Sequence, residues 1–332
     1  MEKTFHISRE QLKFAPMIIH NNYSKQFLSA PESIIIRLTN RCNLNCVGCY
    51  QEKDDLVDTD FLMVKNIISD ASKIGVCRIQ LGGGEPFLYK HIYDVIKFAY
   101  DNNIFTSICS NGTLLNNESI IKCSQSGIGH IQLSLNNPSY DDIMSNKNLP
   151  QKTQCLADNG IKYGFNVILT KYIFNNIEEI INNLLLLNPY NIKLLMVKPS
   201  EGNNDWYKKN KVDFASNNNK EKLNKILLSY ECVSVDCSLG VLLQGSNGLG
   251  CLAAIRSLVI LPSGRIKACP FLGKDLEVDD YFYSYKSLFD LWHNSKVLKN
   301  QRERQILKLT DYCDSIFING ECDLIERIFG ME

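Results

Sequence analysis

Short β-branched runs alternate with helix-like runs through the first two thirds of the chain, and this alternation constrains the fold more than any other feature. Strands are predicted near 33–39, 77–81, 104–110, 130–136, 164–170 and 192–198, with helical periodicity between them, as at 60–74, 91–102 and 175–187. Consecutive β-α units imply a parallel sheet with right-handed crossovers. Six such strands suit a small or partly open barrel. The strands are not uniformly apolar, as parallel strands buried on both faces are. One face takes Ile34, Ile36, Leu38, Ile79, Leu81, Ile131, Leu133 and Leu135. The other takes Arg37, Thr39, Arg78, Gln80, Thr106, Ser110, Gln132, Ser134, Asn136, Asn166 and Thr170. The apolar face is expected to meet the helices, which leaves a polar lumen suited to a polar ligand. On this reading Cys109 points to the helices and His130 shares the lumen parity, as a hydrogen-bonded floor residue in preference to a substrate contact.

The second constraint is cysteine. Cys42, Cys46 and Cys49 follow the first predicted strand in the run Arg41-Cys42-Asn43-Leu44-Asn45-Cys46-Val47-Gly48-Cys49-Tyr50. Three thiolates on one short loop can hold three irons of a four-iron, four-sulfide cluster and leave the fourth open. Zinc sites also use close cysteines but want a fourth Cys or His nearby, and none lies within the loop. The chain has 13 cysteines in 332 residues and no signal-peptide pattern, which favours metal or redox use in the cytoplasm over disulfides. A formal net charge of zero gives no electrostatic case for nucleic acid or an anionic membrane. No window reaches the ~18 apolar residues of a membrane span.

The cysteine trio, followed at the end of the next strand by Gly82-Gly83-Gly84-Glu85-Pro86, resembles the radical SAM superfamily. The resemblance implies an α/β fold, a partial (β/α)6 TIM-like barrel. It implies that Cys42, Cys46 and Cys49 hold the catalytic 4Fe–4S cluster, whose open iron chelates S-adenosylmethionine. One electron then cleaves the carbon–sulfur bond, and a deoxyadenosyl radical takes a hydrogen atom from substrate. By the same resemblance Gly83, Gly84, Glu85 and Pro86 contact the methionyl group, with Glu85 accepting from its ammonium. Ser110, Asn111, Ser134, Asn136 and Asn166 supply polar groups near the ribose. The family usually has an aromatic residue before the third cysteine. Gly48 stands there, and Tyr50 is the expected substitute.

The last third resembles the SPASM and twitch extensions that bind auxiliary clusters. The residues that carry this are Cys251, Gly264, Cys269-Pro270, the run Ser287 to Trp292, Cys313 and Cys322. The resemblance implies one auxiliary 4Fe–4S cluster on Cys251, Cys269, Cys313 and Cys322, with Cys237 as a possible replacement ligand. A turn at Pro262-Ser263-Gly264 between two β-like runs predicts a hairpin there. Residues 1–30 are expected to be an N-terminal extension, 31–234 the barrel and 235–332 a small twitch- or SPASM-like domain. The implied activity is that of a radical SAM oxidoreductase or maturase acting on a ribosomally made peptide by crosslinking, oxidation or epimerisation. A small-molecule dehydrogenase or a step in cofactor or antibiotic synthesis is the alternative. Either activity needs a reducing partner such as flavodoxin or ferredoxin.

Overall fold

A computed structural model describes residues 18–19, 27–51, 57–135, 148–199, 203–214, 216–244, 251, 253–271 and 279–306. After a two-residue ribbon of β1 (Ile18–Ile19) and β2 (Phe27–Leu28), six parallel strands follow one another across the sheet. These are β3 (Ser33–Thr39), β4 (Arg78–Gly83), β5 (Phe105–Ser110), β6 (His130–Leu135), β7 (Lys162–Leu169) and β8 (Asn191–Met196). They coincide with the predicted strands to within a few residues. A further parallel strand, β9 (Val233–Val235), extends the sheet beyond β8.

The helices between them are amphipathic for the reason their spacing suggests. In α1 (Phe61–Lys73) the buried residues are Val64, Ile67, Ile68 and Ala71, and in α2 (Ile92–Asp101) they are Ile92, Val95, Ile96 and Ala99. Both sets fall at i, i+3, i+4 and i+7, one face of a helix. Asp60 caps α1 by accepting from the Met63 N–H. Asn116 and Ser119 form a capping box at the start of α3 (Asn117–Ser126), and Gly127 ends it in the left-handed region. After α4 (Leu149–Asp158) comes a short α5 (Lys171–Asn175), and α6 (Ile177–Leu185) is the helix predicted at 175–187. Ile177, Ile180, Ile181 and Leu184 of α6 are buried, each contributing about 1.5–3 kcal/mol by area. Between β8 and β9 lie α7 (Asn204–Asn210) and α8 (Asn217–Ser229), and α9 (Cys237–Gln244) follows β9.

The predicted hairpin forms as β10 (Ser257–Ile260) against β11 (Ile266–Lys267), with Gly264 at φ 81° in its turn. It does not stand apart from the barrel. β10 pairs in parallel with β3, so the sheet order is β11-β10-β3-β4-β5-β6-β7-β8-β9. The result is an open nine-stranded sheet, seven strands of it the partial barrel. Helices α10 (Leu288–Asn294) and α11 (Lys296–Ile306) follow, and Trp292 is fully buried with its indole N–H on the Leu28 carbonyl.

The register corrects one strand. Thr106 and Ser110 were expected in the lumen and Cys109 among the helices. Instead Thr106 pairs with Ile79 and Ile108 with Leu81, all on the helix side, so Phe105, Ser107 and Cys109 face the lumen. The cause is compositional: β5 reads Phe-Thr-Ser-Ile-Cys-Ser, polar on both faces, so its period fixes no orientation. Parity on β4, β6 and β7 is as predicted.

Candidate active site

The cluster-type cysteines lie on the loop leaving β3, at the carboxyl ends of the parallel strands. None of the three is in a disulfide; Cys42 and Cys49 are exposed and Cys46 is half-buried. A turn closes Cys46 to Cys49, with the Cys49 N–H donating to the Cys46 carbonyl at 3.1 Å. The Leu44 N–H points at the Cys42 sulfur at 3.4 Å. Burial, and then the negative charge of Cys49 and Cys42, push the Cys46 thiol above its ordinary pKa. The neighbouring charges thus oppose ionisation of Cys46, a cost that a bound cationic iron centre would remove. The described residues fit such a group in donor chemistry and in loop position. Among the described residues, no three His, Cys, Asp or Glu side chains gather tightly enough to hold a single metal ion.

Polar tethers fix where the loop begins. Arg41 makes a two-point contact with Asp58, at 3.0 and 2.7 Å, and donates to the Leu88 carbonyl at 2.7 Å. The Thr39 hydroxyl donates to Asp58 at 2.6 Å. Burial opposes ionisation of Asp58, but the hydrogen bonds from Arg41 and Thr39 outweigh it and hold the carboxyl below its usual range.

The glycine run serves this loop directly. The Gly84 N–H donates to Thr39 O and the Glu85 N–H to Arg41 O, both at 2.8 Å. A Cβ on Gly84 would lie 2.1 Å from the Arg41 carbonyl oxygen, and one on Gly83 (φ +140°) 2.3 Å from that of Thr39. These two glycines therefore admit the cysteine loop's own backbone, whereas the sequence reading gave their space to the methionyl group. Gly82 differs: a Cβ there meets nothing within 4 Å. It shares the lumen face with Gln80, so the open space in the glycine run lies at Gly82. Gln51 donates to the Gly83 carbonyl.

Glu85 is held by the protein's own donors. It is fully buried and accepts from Ser110 Oγ at 2.8 Å, the Asn111 N–H at 2.8 Å and the Phe87 N–H at 3.2 Å. Burial raises its pKa against those bonds. It ties the end of β4 to the end of β5, and Pro86 opens the short 3-10 turn that it caps. Ser110 is spent on Glu85. The Asn111 amide instead reaches Asn43 at 3.0 Å and the Cys42 sulfur at 3.9 Å, so this strand end serves the cysteine loop.

In the lumen, Ser134 and Asn166 are register partners, and Asn166 is the partner of Lys193. Gln80 donates to the Cys109 sulfur at 3.3 Å and Asn166 reaches it at 3.8 Å. Burial pushes the Cys109 thiol up. His130 sits on the floor, its pKa lowered to about 4 chiefly by burial, and its Nε2 has no hydrogen-bond partner among the described residues. Asn136, Cys313 and Cys322 lie outside the described residues.

Tyr50, the expected substitute for the loop aromatic, packs on another ring. Its ring meets Phe271 at 4.4 Å, with the Arg37 guanidinium 5.8 Å from its centroid. Arg37 donates to the Pro270 carbonyl at 3.3 Å. The turn after Cys269 is thereby brought against the first cysteine loop. Lys198 completes this corner, ion-paired with Asp236, both buried, and 4.5 Å from the Phe271 ring. Cys251 and Cys269 are half-buried against the core, and Cys237 is exposed at the start of α9. Sequence reasoning missed Asp58, Phe271, Trp206 and the Lys198–Asp236 pair. None carries a spacing signal, because each reaches the site across the fold.

A part-open parallel barrel with a three-cysteine loop at its mouth and a glycine-glutamate-proline turn beside it defines a class, and comparison gives that class its name. Residues 36–187, a little under half of the chain, match the family model described as the Radical SAM superfamily. Proteins of that family use a 4Fe–4S cluster and S-adenosylmethionine. The chain is 30% identical over 179 residues to the GTP 3',8-cyclase of Clostridium perfringens, 49% of this chain and 54% of that protein. It spans little more than half the length of that relative. It is 23% identical over 300 residues to the mycofactocin maturase MftC of Mycolicibacterium smegmatis, covering 84% of this chain and 74% of the maturase. In fold it is similar to Streptococcus suis SuiB, solved bound to its precursor peptide SuiA, with a TM-score of 0.70 at 19% identity over 89% of this chain and 74% of that one. Among the described residues no helix is long and apolar enough to cross a membrane.

Proposed function

We propose that this chain is a radical SAM maturase that modifies a ribosomally made peptide by crosslinking, oxidation or epimerisation. The observation that carries the reading is the Cys42–Cys46–Cys49 loop at the mouth of a barrel whose lumen is lined by polar side chains. Cys42, Cys46 and Cys49 would hold the cluster, which supplies the electron and the open iron for reductive cleavage of S-adenosylmethionine. Arg41, Asp58 and the Gly84–Glu85 backbone fix the loop that carries those cysteines. Gly82 leaves open space beside it, and Ser134 and Asn166 offer hydrogen bonds deeper in the lumen. Cys251 and Cys269, with Cys313 and Cys322, are proposed ligands of one auxiliary cluster, and the turn after Cys269 touches the first loop through Phe271. A flavodoxin or ferredoxin is the proposed reductant.

Likeness to MftC over most of the chain, and to SuiB in fold, supports the peptide reading. The likeness to a GTP cyclase keeps a small-molecule substrate as the alternative. The test is to look beside the gene for a reading frame of a few tens of codons and co-express it. A mass shift on the peptide that disappears in the Cys42→Ala variant supports the proposal. An unmodified peptide, together with turnover of a small molecule made by neighbouring enzymes, would replace it with the alternative.

A further inference from the structure

Gly48 lies between Cys46 and Cys49, and the space its side chain would fill is taken by an aromatic ring from elsewhere. A Cβ built on Gly48 falls 2.5, 2.7 and 2.9 Å from three carbons of the Trp206 benzo ring. Trp206 is half-buried on α7, more than 150 residues along the chain. The platform beneath it is firm. Its neighbour Tyr207 is 1% exposed, and Asn203 is buried and donates to the Lys198 carbonyl at 3.2 Å. Asn210 donates to the Trp206 carbonyl at 2.8 Å. The other corners of the loop are held separately: Asn43 by Asn111 and Thr113, Tyr50 by Phe271. The Cys46–Cys49 turn has the indole.

We infer that Trp206 is a positioning residue for the cluster loop. Its ring edge packs on Gly48 and fixes the turn that presents Cys46 and Cys49, and position 48 is glycine because any side chain would displace the indole. The inference rests on the reading of Cys42, Cys46 and Cys49 as cluster ligands. Ring-on-backbone packing is lost outright when the ring is removed, because a gap leaves the backbone without partner atoms. Two residues in direct contact should also show non-additive substitution effects.

The experiment uses the full chain, reconstituted anaerobically with iron and sulfide. Trp206→Ala, Trp206→Phe, Gly48→Ala and the Gly48→Ala/Trp206→Ala double variant are compared for iron per chain and for decay of the cluster absorbance in air. Trp206→Ala should shorten the cluster's lifetime in air several-fold, and Trp206→Phe should restore most of it. Gly48→Ala should shorten it in the native background and add little to Trp206→Ala. The chain has two tryptophans, so in a Trp292→Phe background the remaining emission reports Trp206, and it should be quenched on cluster assembly. A Trp206→Ala variant with native lifetime, or strictly additive effects in the cycle, overturns the inference alone. Unchanged iron after Cys42, Cys46 and Cys49 are all replaced by Ala overturns the cluster reading as well. Far-UV circular dichroism of each variant separates a loosened turn from an unfolded chain, and unfolding of Trp206→Phe would assign Trp206 to the core instead.

Discussion

The loop holding Cys42, Cys46 and Cys49 and the segment holding Cys251 and Cys269 meet at Tyr50 and Phe271, yet they are held by different forces. The first loop is exposed at two of its three cysteines and is tied by hydrogen bonds to Asp58, Leu88, Gly84 and Asn111. The second is packed. Cys251 and Cys269 lie against the hydrophobic core, β10 joins the edge of β3, and Trp292 and Leu291 are fully buried below it. Burial stabilises in proportion to the area removed from water, which a loop open to a ligand cannot give up. Such a loop has to be oriented by directional contacts on its flanks. The first region should therefore fail through single polar or backbone contacts, and the second only through large apolar deletions.

The largest expected effect separates the two regions chemically. Replacing Cys42, Cys46 and Cys49 together by Ala should abolish cleavage of S-adenosylmethionine while leaving about four irons bound through the second region. Iron analysis and deoxyadenosine assay of the anaerobic protein check this. A folded triple variant with near-zero iron would assign all the iron to the first loop and leave the second as packing alone.

The glycine run gives a sharper contrast within a few residues. Gly84→Ala drives a Cβ into the Arg41 carbonyl and should cost about 3 kcal/mol, since backbone cannot move aside as a flexible side chain can. Gly82→Ala points into open space and should change stability by less than ~0.5 kcal/mol. Urea denaturation measures both. If Gly82→Ala leaves stability alone but weakens S-adenosylmethionine binding, the open space at Gly82 is the cofactor's. Equal destabilisation by the two would break the assignment of Gly84 to the loop.

Glu85 should come next in size. Glu85→Gln retains one of two acceptor oxygens for three donors, so a buried N–H faces an amide NH2, at a cost of roughly 2 kcal/mol. Burial raises the pKa of Glu85 in the folded protein. Its contribution is therefore greatest below the ordinary glutamate range and is lost as pH rises through the folded value. The stability gap between wild type and Glu85→Gln should narrow over that window. A gap that widens with rising pH would mean the hydrogen bonds outweigh burial and the carboxylate is the favoured form.

How much of this was legible in the sequence follows the same division. Strands β3, β4, β6 and β7 were readable because each has a polar and an apolar face. β5 was misread because Thr106, Ser107, Cys109 and Ser110 put polar groups on both faces, and only pairing with Ile79 and Leu81 settles it. The cysteine spacing was local and could be read without the fold. The tethers were not local: Arg37 to Pro270 spans 233 positions and Arg41 to Leu88 spans 47. Glu85 was read as a ligand for the methionyl ammonium because its motif is visible in sequence, while its three donors are assembled only by the fold. Trp206 had no local signal at all, beyond the glycine at 48 that makes room for it.

The smallest expected effect bears most directly on how the first loop is held. The Arg41–Asp58 pair is partly exposed, so Asp58→Ala should cost no more than ~1 kcal/mol of global stability and less in high salt. Its carboxyl is held below the ordinary value, so the contribution is present above the unfolded-state pKa and lost as pH falls through the folded one. The loop should feel the change more than the fold does, because Asp58 also takes the Thr39 hydroxyl at the strand end where the loop departs. Iron loading of Asp58→Ala is expected to fall, or its cluster to decay faster in air, while the unfolding midpoint barely moves. Parallel losses in both would mean that Asp58 supports the barrel and not the loop, and the contrast between a tethered and a packed cysteine region would not hold.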